Sequence, residues 1–239
     1  MVVDVSSSLD IMNNALILLD QSPMDSAELT ANTTKTAKAC NIKWPTTRNS
    51  LLRLHPWNCV RDRQVLTVDE TAPAFGYSYR YELPDGTGTP PKCIRPLAIQ
   101  YEQDGHYFPF ASGTFGGDIP LKYSFVIENS YLLTNTQGTT LNRDETEGIN
   151  LVYTFLPKSD AVADYDDTLI ELMYYKLASE IAFTVTGSRN LGLTFKKDFK
   201  ELLKEARAIN AQEIAPGIPV GAVLGAYSGL SYTGASETW

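Results

Sequence analysis

Histidine is nearly absent from this chain, with only His55 and His106 among 239 residues. Neither has a Cys, Asp or Glu at metal-ligand spacing, so no zinc-type motif can be drawn. A Ser-His-Asp or Cys-His site would have to be assembled from remote residues, and nothing in the pattern points to one. Cysteine is also scarce. Cys40, Cys59 and Cys93 are odd in number, widely spaced and without a CxxC pair. They are expected to be reduced, small, buried hydrophobes, as suits a chain assembled in a reducing cytoplasm. No apolar run approaches the roughly twenty residues of a membrane helix, so no membrane span is expected. Residues 1–8 lack the charged and apolar regions of a signal peptide. Positive charge is in deficit, with 20 Lys and Arg against 28 Asp and Glu, a net charge of −8. That argues against a surface that coats nucleic acid, which needs a basic footprint. A wall past which DNA slides without specific binding would profit from being acidic.

What the chain does have is a change of character along its length. Apolar residues make up 43% of it, enough for a core. Residues 8–55 carry helical periodicity, residues 59–157 read as short strands, and residues 164–212 are helical again. The fold class expected is α+β. Residues 1–58 and 159–213 form one helical bundle, 59–158 an inserted antiparallel β-sandwich or barrel-like region, and 214–239 an extended C-terminal arm.

The joint between the first two regions is Leu51-Leu-Arg-Leu-His-Pro-Trp-Asn58. Proline lacks a backbone donor and biases the preceding residue away from helix, so a helix should end at or before His55. His55, Pro56 and Trp57 together are expected to form a structural hinge, with Trp57 largely buried.

Upstream, Ser8 is read as the N-cap of a first helix, with Leu9, Met12, Leu16 and Leu19 in its stripe and Ala15 and Ile17 widening it. Ser22-Pro23 should end that helix, and residues 23–31 read as a connector. Thr33 or Thr34 should open a short helix through Cys40, and Thr46 or Thr47 a separate one after Pro45. In the middle region the strand candidates are Val60–Val68, Tyr77–Tyr81, Ile94–Tyr101, Phe108–Phe110, Tyr123–Ile127, Tyr131–Thr134 and Ile149–Phe155, with Gly and Pro between them. Downstream, Asp164-Tyr-Asp-Asp167 complements the dipole of a long helix with the stripe Ile170, Met173, Leu177, Ile181 and Val185. Gly187-Ser188 turns the chain into a second helix with the stripe Phe195, Phe199, Leu202, Ala206 and Ile209. The two make an αα-hairpin. Residues 215–239 are rich in Gly, Ala and Ser and nearly uncharged. They carry Tyr227, Tyr232 and Trp239, expected interface anchors of an arm that orders on a partner.

Motifs with possible chemistry have plainer explanations. Asp164, Asp166 and Asp167 are accounted for by the helix start. Gly113–Asp118 is Gly-rich but lacks the Gly-Lys-Ser/Thr ending of a phosphate loop. Asn142–Gly148 is an acidic turn without calcium-loop spacing. Tyr77, Tyr79 and Tyr81 alternate as a ladder that would stack on sugars or bases, or pack across strands. No catalytic residue, cofactor or metal is expected, and the chain reads as a non-enzyme.

The segments Asn14-Ala-Leu-Ile-Leu-Leu19, Ala37-Lys-Ala-Cys40, Arg48–Asn58, Leu177-Ala-Ser-Glu-Ile-Ala182 and Phe199–Ala208 together resemble the tail tubular protein A family. These are the head-to-tail adaptor, or gatekeeper, proteins of T7-like short-tailed bacteriophages. The resemblance covers roughly residues 8–66 and 164–213, and the Leu-x-x-His-Pro-Trp-Asn run is its most specific part. This chain has Asp20 where the family usually has Gly, and Cys59-Val60 where it tends to have Phe and Ala. The resemblance implies a virion protein assembled in the cytoplasm of a host bacterium. It would form a ring, dodecameric in the T7-like case, between the portal protein and the tail nozzle, in reach of tail fibres, and would line the DNA exit channel.

Two other readings stay open at this point. One is a carbohydrate-binding or host-recognition tail module using the tyrosine-rich strands. The other is a cell-wall hydrolase with a carboxylate pair among Glu102, Asp118, Glu145 and Glu147.

Overall fold

A computed structural model of the chain describes residues 7–103, 106–111, 125–135, 148–157, 162 and 164–214. The described residues form a mixed helix-and-strand chain. In order come α1 (Ser8–Leu18), α2 (Ser26–Ala31), α3 (Lys35–Leu54), a 3-10 turn (Asn58–Val60), β1 (Arg61–Thr67), β2 (Tyr79–Glu82), β3 (Lys92–Gln103), β4 (His106–Ala111), β5 (Phe125–Glu128), β6 (Tyr131–Thr134), β7 (Gly148–Leu156), α4 (Asp167–Thr186) and α5 (Arg189–Ile214).

The N-cap of α1 is Ser7 and not Ser8. Ser7 and Asp10 form a capping box in which each side chain serves the other's backbone N–H. Ser8 is instead the first helical residue, and it is buried. Ile11 takes a core position, whereas Ile17, expected to widen the stripe, faces solvent. The helix ends at Leu18, five residues before Pro23. The Gln21 N–H donates to the Leu16 carbonyl and the Asp20 N–H to that of Ile17, with Asp20 left-handed at φ 56°. That is a Schellman ending, built here without glycine. The connector contains a short helix of its own, α2, capped by Asp25. Asn13 pins the segment before it to α1, donating to the Met24 carbonyl and accepting from the Met24 N–H.

Two expected short helices are one. Thr34 caps a 20-residue α3 that runs straight through Pro45. Proline in a helix interior forfeits one backbone bond, a cost of about 3 kcal/mol. The offset is burial on one face of α3, where Ala37, Cys40, Trp44, Thr47, Leu51 and Leu52 all turn inward while Pro45 itself is exposed. Packing overrides local preference, as it commonly does for helices.

A single apolar cluster unites helices from both ends of the chain: Ile11 and Leu16 of α1, Leu51 and Leu52 of α3, Leu177 and Ile181 of α4, and Ala206 of α5. Phe199 and Leu202, expected to be buried with Leu177 and Ile181, are only partly covered against it. The α3–α4 seam also carries polar ties. Thr47 Oγ1 donates to Glu180 Oε2 at 3.0 Å, and Lys176 Nζ donates to Ser50 Oγ. The α4–α5 turn uses Gly187 at φ 78°, and Gly192 lets α5 approach closely, since a Cβ there would sit 3.1 Å from the Ser179 carbonyl oxygen.

Every strand pairing among the described residues is antiparallel. β1, β7, β3 and β4 form one sheet in that order, and β2, β6 and β5 another. A bridge between Val68 and Tyr81 joins the sheets at one point, and neither closes into a barrel among the described residues. Leu66, Tyr81, Ile99, Leu132, Leu151 and Tyr153 from both sheets share a second apolar cluster. Pro96, which cannot donate to a ladder, lies at an irregularity where β3 shifts register against β7. His106 opens β4, opposite Gln103.

Candidate functional site

Pro56 leaves α3 with carbonyls that no further turn can satisfy. The structure serves them from elsewhere in the chain. His55 is extended at φ −146° and caps the helix. Trp57 folds back, wholly buried, and its indole Nε1 donates to the Leu51 carbonyl at 3.1 Å. Arg95 of β3 donates to the Arg53 carbonyl at 3.1 Å. Arg207 of α5 donates to the Leu54 carbonyl at 3.4 Å. Arg61 of β1 donates to the Pro56 carbonyl at 3.4 Å. Cations at a helix C-terminus are favoured by the macrodipole. The three guanidiniums therefore tie the β-sheet and the last helix to the end of α3.

Asn210 completes the joint. It is 3% exposed on α5, at a position the helical stripe would give to an apolar residue. Its Oδ1 accepts from the Asn58 N–H at 2.9 Å, and its carbonyl accepts from Asn58 Nδ2 at 2.8 Å. That orients the amide, so its Nδ2 faces His55 Nε2 at 3.0 Å. An amide NH2 only donates, so Nε2 must offer a lone pair and His55 must be neutral. Burial and the nearby Arg207, Arg95 and Arg61 push the imidazole the same way, below its ordinary pKa. His55 also meets Trp57 edge-on, with ring centroids 4.8 Å apart. On the far side, Cys59 lies beside Asp166, which caps α4 by accepting from the Leu169 N–H. One short run thus touches α3, α4, α5, β1 and β3.

Of the residues singled out from sequence, His55, Pro56 and Trp57 are brought together at this joint. Tyr227, Tyr232 and Trp239 lie outside the described residues, as do Asp118, Glu145 and Glu147. Sequence reasoning missed Asn210, Arg61, Arg95 and Arg207. The signal available was an asparagine four residues after Ala206 on the inward stripe. Ile209, assigned there for its hydrophobicity, is 45% exposed.

The other features carry less chemistry. Burial pushes the Cys40 thiol up to about 11 and those of Cys59 and Cys93 up to about 12, so all three stay protonated and inert near neutrality. Tyr81 is buried between the sheets and Tyr79 packs against the same cluster, so this part of the tyrosine ladder is packing and not an open stacking platform. An open cleft of about 430 Å³ lies between β1 and the segment that follows β2, lined by Gln64, Leu66, Leu83 and Asp85 among others. Among the described residues no three His, Cys, Asp or Glu side chains gather at metal-binding distance. No described helix is long and apolar enough to cross a membrane. No family model and no curated protein matches the chain.

Proposed function

We propose that this chain is a structural, non-enzymatic component of a short-tailed bacteriophage virion. It forms an adaptor ring that joins the portal to the tail nozzle and lines the DNA exit channel. The observation that carries the reading is the meeting of the segments that resemble the adaptor family. They come from opposite ends of the sequence, yet Asn58 bonds Asn210 and Thr47 bonds Glu180 across more than a hundred intervening residues. In this reading the helices act as one rigid bundle and the strands as a sandwich-like insert facing a different partner. Ile17, Ile42, Phe183 and Leu193, exposed on four different helices, supply apolar surface to neighbouring copies. The net charge of −8 keeps packaged DNA from adhering to the channel.

The test is genetic. Particles assembled without this chain should package DNA, fail to retain it and carry no nozzle. Particles that keep both genome and nozzle would overturn the assignment.

A further inference from the structure

β1 is an edge strand of its sheet, and its outward backbone is only partly served. Backbone groups alternate in direction along a strand. The Asp69 N–H donates to the Arg80 carbonyl of β2 at 2.8 Å, away from β7. Thr67, Val65 and Arg63, at alternate positions before it, therefore turn the same way. Side chains already serve two of these residues. The Arg63 N–H donates to Asp62 Oδ1 at 2.7 Å, and the Val65 carbonyl accepts from Gln64 Nε2 at 3.3 Å. The Val65 N–H has no partner among the described residues, and the Val65 side chain is 37% exposed. β2 would be the natural neighbour, but it meets β1 at the single Val68–Tyr81 bridge. Past Glu82 its backbone is committed elsewhere. The Leu83 N–H donates to the Ser130 carbonyl, Pro84 has no N–H, and the Pro84 carbonyl accepts from the Cys93 N–H. The cleft of about 430 Å³ opens there, between residues 64–67 on one side and Leu83, Pro84, Thr87 and Pro90 on the other. A strand edge that faces a walled groove is a template for one more strand.

We infer that residues 220–224 of the same chain, Val-Gly-Ala-Val-Leu, add to the edge of β1 in this cleft as a parallel strand. The point where the chain leaves α5 argues for it. α5 ends at Ile214, and Asn58 Nδ2 donates to the Asn210 carbonyl at 2.8 Å and to Glu213 Oε2 at 3.1 Å. The chain therefore departs beside the start of β1. From Asn58 to Gln64 it spans at most about 20 Å, and six extended residues beyond Ile214 reach as far. Residues 220–224 thus come level with residues 64–67 while running in the direction of β1. So short a tether keeps the effective concentration high, and weak pairing suffices. Composition fits as well. Glu82 and Asp85 border the cleft, and residues 215–236 carry no charge for them to repel. Val220 and Val223 favour extended backbone. Pro219 precedes them, at the first position, where a strand tolerates proline. The inference does not depend on the adaptor reading, and it leaves Tyr227, Tyr232 and Trp239 beyond the paired segment.

Amide hydrogen exchange of the full chain, read residue by residue by NMR, tests this. The Val65 amide should be protected. The Gln64 and Leu66 amides, which turn toward β7 by the same alternation, serve as internal references. The pair Ala222→Pro and Val223→Pro removes two consecutive donors, of which one must face β1, in a segment outside both apolar clusters. In that variant Val65 should exchange at least about tenfold faster, the effect of losing backbone hydrogen bonds that act together. Gln64 and Leu66 should keep their rates. The pair Ala222→Ser and Val223→Thr retains both donors and should leave Val65 protected. Dilution should change nothing, because the added strand belongs to the same copy. Val65 exchanging as fast in the wild type as in the proline variant, Gln64 and Leu66 accelerating equally with it, or protection that falls on dilution would each overturn the inference.

Discussion

Trp57→Ala removes a fully buried indole and the donor that serves Leu51 in one step. Deleting a buried Trp costs about 3–5 kcal/mol, and the unserved carbonyl adds to that. Chemical denaturation should show a loss of at least that lower figure; a loss below 1 kcal/mol would mean the joint does not depend on the indole. Asp20 supplies the opposite case. A left-handed non-glycine residue costs about 1–2 kcal/mol. A carboxylate at a helix C-terminus costs roughly 0.3–1 kcal/mol more. Glycine gives back about 0.4–1 kcal/mol through the unfolded chain. Asp20→Gly should therefore stabilise by about 1 kcal/mol, read as a raised denaturation midpoint with an unchanged slope. His55 makes the joint sensitive to acid. Its folded pKa lies below the ordinary 6.5, so the unfolded state binds its proton first. Stability should be full above 6.5, fall as pH drops from there through the folded pKa, and level off below it. His55→Gln should abolish that portion of the pH dependence. Trp57 and His55 were legible in the sequence because Pro56 announces the break that exposes carbonyls. Asn210 was not, because a polar residue on an apolar stripe looks like a boundary until its partners, Asn58 and His55, are known.

Among the elements, α3 most clearly separates local preference from tertiary packing. Pro45 reads as a boundary by every local rule, yet the helix continues because both flanks bury residues in one core. Pro45→Ala restores a donor to the Asn41 carbonyl at an exposed site. It should stabilise by about 1–2 kcal/mol, once the added entropy of the unfolded chain offsets part of the roughly 3 kcal/mol that proline costs. A destabilised variant would mean that the local geometry at Pro45 is needed for α3 to reach both α1 and α4. The strands were more legible than the helices, because alternation and Gly-Pro punctuation act over four to eight residues, and Tyr131–Thr134 was read with its observed bounds. Which strand neighbours which was not legible. The order β1-β7-β3-β4 pairs residues about ninety apart in sequence, such as Arg61 with Thr154, and no local pattern encodes that. The α5 stripe was found but misphased at its end. Ile209 and Asn210 are adjacent, and the amide's hydrogen bonds, not hydrophobicity, decide which turns inward.

At the scale of the whole molecule, the joint makes two sequence-distant helical segments and an inserted sheet depend on one another. Thr47 with Glu180, Asn58 with Asn210 and Arg95 with Arg53 each tie one part to another. The proposed adaptor ring calls for such a tied subunit. It also needs surfaces that remain unsatisfied in the single chain, and Ile42 at 71% exposed and Phe183 at 58% are of that kind. The measurement that tests the account most directly is the native mass of the purified full chain, alone and mixed with portal protein, alongside negative-stain images. A closed ring near twelve times the 26.4 kDa of one chain, formed either alone or on contact with the portal, is the predicted result. A chain that stays monomeric in both conditions, with no ring in the images, would contradict it.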